Sequence, residues 1–303
     1  MTLRAFAPTL LPALLPAILL LGGCGSSDDD GLSLGDATAP AKLDTAEEAA
    51  QAAAYIGVFL ELDEATDFTG FGFGAATKLE LSDNCETSGS FRFTDENPRG
   101  SNDYRRFDFN NCREENTLLD GALELECLQG SFDGEGSCRN TQIDYGQNSA
   151  SFRVADSSSE LRILGDWELL STPESATVSH SLELRINDQA EDFELVAVSQ
   201  SYRRRFESDG NGGGLYSVNG RFGLALAGDD LECNSGMISV TTLDQVRIDN
   251  AGRVRSGRVE ISNDNSQSAI VTANDDGSVT VQLNGATTTV PRSRFERFCS
   301  EAS

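Results

Sequence analysis

From Thr77 to the C-terminus, apolar positions recur every second residue. Val178, His180, Leu182, Leu184 and Ile186 fall on one side of such a run, with Ser179, Ser181, Glu183, Arg185 and Asn187 on the other. Tyr216, Val218, Gly220, Phe222, Leu224 and Leu226 make another row. Ser88 to Thr94, Tyr104 to Asn110, Gly121 to Cys127, Met237 to Leu243, Arg258 to Ser262, Ala269 to Ala273 and Val279 to Leu283 keep the same period. That is the period of a β-strand. One apolar and one polar face per strand implies antiparallel sheet covered on one side. Asn284-Gly285 is a two-residue hairpin signal between Val279–Leu283 and Ala286–Val290. Glu96 to Gly100, Asp209 to Gly214 and Asn274 to Gly277 read as longer turns. The fold is predicted to be mainly β, an antiparallel sandwich or barrel-like set of sheets.

Ahead of the strands the pattern is different. Thr45 to about Glu64 is predicted as the one N-terminal helix. Thr45-Ala46-Glu47-Glu48 is a capping box with acids in the first turn, an Ala-rich stretch follows, and Ile56, Phe59 and Leu60 recur at helical spacing. Gly57 weakens this end, so packing on a sheet edge or over a barrel mouth is expected to support it. Gly25 to Leu43 has few large apolar residues and reads as a flexible tether, its Asp28-Asp29-Asp30 run a solvated spacer. Thr69 to Gly74 lacks the Lys and the following helix of a phosphate loop and reads as a junction. The chain divides into 1–23, 24–43, 44–75, a first β unit at 76–165 and a second at 166–303. Tyr104-Arg105-Arg106-Phe107 with Gly121, and Tyr202-Arg203-Arg204-Arg205-Phe206 with Gly220, share a strand, turn, strand layout. A duplicated β unit explains this, and so does chance agreement among similar hairpins.

Residues 1–23 have the parts of a secretory signal: Arg4 near the amino terminus, an apolar run from Leu10 to Leu21, and small residues at Gly22 and Gly23. Pro8, Pro12 and Pro16 argue against a membrane-spanning helix. Leu21-Gly22-Gly23-Cys24 resembles the bacterial lipoprotein signal, in which the Cys sulfur receives diacylglycerol. The resemblance implies lipidation at Cys24, and Gly25 rather than Asp after it implies the outer membrane. The plan from Thr45 to Cys127 is also similar to a loose set of bacterial lipoproteins. It is carried by Cys85-Glu86-Thr87-Ser88-Gly89, Phe107-Asp108-Phe109-Asn110-Asn111-Cys112 and Leu119-Asp120-Gly121. That similarity implies architecture and no activity.

The cysteine count bears on the same point. Seven Cys is an odd number, and lipidating Cys24 leaves Cys85, Cys112, Cys127, Cys138, Cys233 and Cys299. In an oxidising compartment these are disulfide candidates. Proximity favours Cys85–Cys112, Cys127–Cys138 and Cys233–Cys299, with Cys112–Cys127 a competitor. Removing the leader takes away one Arg, so the net charge of −26 becomes −27. Such a field repels nucleic acid and anionic lipid surfaces. The expected partners are the membrane through the lipid anchor, and a protein or glycan bound through sheet edges and loops.

Candidate chemistry is sparse. A catalytic triad would depend on His180, the one His, which sits among apolar strand positions and reads as packed. Trp167, the one Trp, reads as a core anchor. Arg105-Arg106 and Arg203-Arg204-Arg205 alternate across faces and are expected to pair with carboxylates on neighbouring strands. No cofactor is expected; calcium is the one ion considered, at Asp209 and Asn211, with Asp264, Asp275 and Asp276 as looser candidates. Turn chemistry explains the same residues. The preferred function is a non-enzymatic binding or scaffolding component of the cell envelope. The alternative is a carboxylate-based glycan hydrolase drawing on the 49 acids. Carboxylates paired in a deep cleft would favour the hydrolase.

Overall fold

A computed structural model of the chain describes residues 32–65, 85–95, 103–132, 138–147, 149–190, 193–210, 213–227, 231–249, 254–294 and 299–301. Side chains are described in all of these except 58–65, 231–233 and 299–301. The expected lipidation site at Cys24, the Thr69–Gly74 stretch and Asn211 lie outside the described residues.

The chain opens with a short helix α1 (Leu34–Thr38) and a longer helix α2 (Ala46–Ala65). The first strands are β1 (Ser88–Thr94), β2 (Asp103–Glu114), β3 (Thr117–Gln129), β4 (Asn140–Tyr145) and β5 (Phe152–Ala155). Then come β6 (Ser159–Ser171), β7 (Ser175–Asp188), β8 (Phe193–Ser208), β9 (Gly214–Ala227) and β10 (Leu231–Cys233). The last are β11 (Gly236–Ile248), β12 (Val254–Ser262), β13 (Ser268–Ala273), β14 (Val279–Leu283), β15 (Ala286–Val290) and β16 (Cys299–Glu301). Fourteen of them form one antiparallel sheet in chain order, with β5 set beside β4 so that it pairs β3 and β6. β10 and β16 form a separate two-stranded sheet. The fold is mainly β, as the alternation predicts.

The inner face of the large sheet carries the main core. Val178, His180, Leu182, Leu184 and Ile186 are all buried along β7. Leu123, Leu125, Ile143, Phe107 and Phe152 on β2 to β6 are 0–1% exposed. Among the described residues, the main contacts of α2 are with β9 and β12 to β15, and the inner-face residues of β2 to β6 belong to the same continuous core. One core shared by strands from β1 to β15 is consistent with a sandwich or barrel-like fold.

Several strands bend where glycines adopt a left-handed backbone. Gly121, Gly165 and Gly220 have φ of +94°, +125° and +124°, and a Cβ at each would lie 2.1–2.7 Å from a neighbouring strand's carbonyl oxygen. Register shifts accompany the bends in the β2–β3, β7–β8 and β8–β9 ladders. Such bulges sharpen local twist and help a wide sheet curl.

Two expectations change. The boundary between 165 and 166 falls inside β6, which pairs β4 on one side and β7 on the other, so one sheet runs through both expected β units. The Tyr-Arg-Arg likeness also dissolves: Tyr202 joins the inner core while Tyr104 does not, and Arg105 is buried while Arg203 is exposed. A duplicated unit would keep its faces; the shared element is the bending glycine, which β6 uses as well.

The expected tether is also shorter than 24–43. Leu32 and Leu34 pack with Ala37 on Val196, Val198, Ala225 and Met237, the outer face of β8, β9 and β11. This is why those strands are apolar on both faces, against the one-sided pattern expected. The chain then crosses to the inner side, where Ala41 and Leu43 are buried in the main core. The crossing is fastened by Met237 N–H donating to the Ala39 carbonyl (2.6 Å) and Ala41 N–H donating to the Met237 carbonyl (3.2 Å). Glycines make room for it. A Cβ at Gly223 would lie 1.9 Å from the Ala37 carbonyl oxygen, and one at Gly236 2.6 Å from that of Ala39.

Candidate functional site

Cys85–Cys112 and Cys127–Cys138 are disulfides, with Cα–Cα separations of 5.4 and 5.6 Å. The competing Cys112–Cys127 pairing is therefore absent. In the small sheet, antiparallel register sets Cys233 directly opposite Cys299. Glu114 approaches the Cys85 and Cys112 sulfurs closely enough to suggest a metal cluster. Both sulfurs are spent in the disulfide, and a Glu114 carboxylate oxygen accepts the Glu86 N–H at 3.1 Å. Those contacts account for the grouping without an ion.

The residues singled out for chemistry have structural roles. His180 is 4% exposed, its Nδ1 lies 2.6 Å from Ser199 Oγ, and its ring stacks on Tyr202 with centroids 4.2 Å apart. Ser199 Oγ also accepts the Leu182 N–H at 2.9 Å. This pair is sealed in the core and ties the β7–β8 bulge together. Trp167 is buried opposite His180 in the β6–β7 ladder. Arg105 is buried and lies over the Phe132 ring at 4.9 Å. Arg106 pairs with Asp108 at 2.6 Å and with its cross-strand neighbour Glu124, and Arg205 pairs with Glu207 at 2.6 Å. Of the calcium candidates, Asp209, Asp264 and Asp276 are engaged in turns and ion pairs. An Asp209 oxygen accepts the Gly213 N–H at 3.1 Å, Asp264 pairs with Arg221 at 2.6 Å, and Asp276 accepts the N–H and hydroxyl of Ser278.

The cross-strand register aligns three carboxylates on the outer face: Glu124, Asp144 and Asp166 on β3, β4 and β6. Burial on its sheet-facing side, and then Asp144 beside it, hold the Asp166 carboxyl above its ordinary range, against an opposing effect of His180. Asp166 is nevertheless exposed to solvent.

A cavity of about 270 Å³ lies elsewhere, between α2 and the inner sheet face. The helix is positioned from its N-terminal end. Thr45 Oγ1 accepts the Glu48 N–H at 3.1 Å, and a Glu48 carboxylate oxygen accepts the Thr45 N–H at 2.9 Å, the expected capping box. Asn234 donates to the Glu48 carbonyl at 3.0 Å, Asn263 to that of Ala41 at 2.7 Å, and Gln267 to the Asp44 carboxylate. These contacts hold the start of α2 at the β12–β13 turn. Its middle then runs toward the β13–β14 turn, where the cavity opens.

The helix side of the cavity is Ala50, Ala53, Ala54 and Gly57, a stripe of small residues at helical spacing, flanked by Ile56. Facing it, β9, β11, β12, β13 and β14 contribute Val218, Val246, Val259, Val271 and Val279. Tyr216 supplies the one aromatic ring among the described lining residues, and Asn274 and Ser278 stand at the turn. Asn274 Nδ2 is already bonded to Ser278 Oγ (2.9 Å) and Thr280 Oγ1 (3.1 Å). None of the described lining residues is Asp, Glu, Lys or Arg, in a chain that is 24% charged. In the sequence the Ala run reads as helix propensity; the signal for a cavity is that the same small residues form the face turned to the sheet. No protein-family model matches the chain, and no curated protein matches it.

Proposed function

We propose that the chain is an outer-membrane lipoprotein, anchored through Cys24, whose disulfide-stapled β domain is a non-enzymatic binding component of the cell envelope. The observation that carries the binding reading is the cavity under α2, whose described lining is mainly apolar and includes no carboxylate. A site of this kind holds a ligand by excluding water, and its described lining offers no carboxylate or imidazole to act on it. The two disulfides suit an oxidising compartment, in line with export.

The glycan-hydrolase alternative draws on the Glu124, Asp144 and Asp166 row, since paired carboxylates are the machinery of glycosidases. That row lies on the outer face, outside the cavity, and Glu124 is occupied by Arg106. We therefore prefer the binding reading.

Mass spectrometry of protein extracted from membranes should find an acylated N-terminal Cys24, and Cys24→Ser should move the chain to the soluble fraction. A Cys24→Ser chain that stays membrane-bound sinks the anchor. Glycan release that is lost in Asp144→Asn or Asp166→Asn would replace the binding reading with the hydrolase.

A further inference from the structure

We infer that the cavity beneath α2 binds the aliphatic chain of a neutral or zwitterionic amphiphile. The inference rests on the binding reading above and names its ligand class.

The lining favours an extended aliphatic group over a planar ring. It is built mainly from Ala, Val, Ile and Gly, with Asn274 and Ser278 at the turn and Tyr216 alone offering an aromatic surface among the described residues. The cavity is also large enough to be a binding site. An apolar cavity of about 150 Å³ stays dry and accepts benzene, so by the same packing 270 Å³ accepts on the order of ten chain carbons. Small residues keep the space open from both sides. Gly57 is exposed at its margin, and a Cβ placed there meets nothing within 4 Å. Space for a side chain is therefore left at Gly57, and the helix presents only Ala50, Ala53, Ala54 and Gly57 as small residues along this face.

The head group is constrained by charge. The described lining offers no cation to hold a carboxylate or phosphate, and the amide of Asn274 is committed to Ser278 and Thr280. Asp275 and Asp276 follow in the exposed turn beside it, in a chain of net charge −26. Arg292 is the cation near this turn, its Cδ 3.5 Å from where a Cβ on Gly277 would lie, and the two carboxylates outnumber it; an anionic head group is therefore disfavoured, whereas a neutral or zwitterionic one remains in solvent at the opening.

The test uses the exported full-length chain carrying Cys24→Ser, which needs no detergent, titrated calorimetrically with saturated 1-monoacylglycerols of increasing length. We expect one saturable site that tightens about fourfold per added methylene and levels off near ten carbons. The fatty carboxylate of equal chain length should bind more weakly. Gly57→Leu should weaken binding at least tenfold while leaving the melting temperature unchanged or raised, because Leu is also the better helix former. The inference is overturned by the absence of saturable binding, by affinity that ignores chain length, by a carboxylate that binds as tightly, or by Gly57→Leu binding like its parent. Because this chain carries no anchor, failure here leaves the membrane location standing, and failure of the anchor leaves this result standing.

Discussion

Glu160 on β6 shows how single residues keep this acidic surface compatible with a fold. Its carboxylate accepts hydrogen bonds from Arg153 on β5 and from Arg162 two residues along its own strand. Partial burial alone would push its proton affinity up, and this is the largest single influence; the bonds and charges of Arg162 and Arg153 together reverse it, leaving the carboxyl below its usual 4.5. A carboxylate whose folded pKa is depressed adds stability above its unfolded value and loses it as pH falls through the folded value. Glu160→Gln should therefore cost about 0.5–1 kcal/mol at neutral pH, the range for part-exposed ion pairs. The difference between variant and parent should vanish below the folded pKa, as measured by urea unfolding across pH. A penalty that persists at low pH would mean that packing, not charge, carries the effect. Asp166 has the opposite sign. Its carboxyl is held up by burial and Asp144, so ionising it costs stability above its unfolded pKa, and Asp166→Asn should be neutral to slightly stabilising at pH 7.

At the scale of elements, local signals and distant ones part company. The capping box of α2 was legible because Thr45 and Glu48 are three residues apart and satisfy each other's N–H groups without outside help. Thr45→Ala should lower thermal stability by about 0.5–2 kcal/mol, with the loss confined to α2 in hydrogen exchange. The β14–β15 hairpin was legible for the same reason: Asn284 and Gly285 have φ of +51° and +79°, the pair a type I′ turn requires. The alternation of β7 likewise placed His180 on the core face before its partner Ser199 was known. What was not legible depends on residues far away. Leu32, Leu34 and Ala37 look like tether among Gly, Ser and Asp; Gly223 and Gly236 are what make them a packed strap. The cavity is harder still, because it is a shared lack of bulk across α2 and five strands. Spacing favoured Cys233–Cys299, and the β10–β16 register now sets these residues face to face. Peptide mapping without reduction should recover that bridge. Closing 66 residues, it should contribute about 4 kcal/mol by the loop-entropy relation, so Cys233→Ser with Cys299→Ser should lower the denaturation midpoint markedly.

For the whole molecule, the strap changes how an anchored domain would stand at the membrane. Taken as free chain from Gly25 to Leu43, the tether would let the β fold roam. With Leu32 fixed on the outer face, its N–H donating to Glu194 at 2.9 Å, it stands eight residues along the chain from Cys24. Fully extended, that is at most about 29 Å of reach. An anchor at Cys24 therefore holds the β8–β9–β11 face toward the bilayer, while the large negative charge keeps the fold from lying flat on anionic lipid. Neutron reflectometry of the lipidated protein on a supported bilayer should find protein density beginning within about 30 Å of the head groups. Gly223→Ala combined with Gly236→Ala should drive the strap off its seat, since each added methyl would overlap strap backbone. The freed chain from Leu32 to Leu43 then lengthens the tether by up to about 40 Å, and the density should spread outward. Protease sensitivity near Leu34 should rise in the same variant. If the parent already shows the broad, distant layer, the strap does not set the standing distance; if the double variant keeps the narrow one, the glycines do not hold the strap.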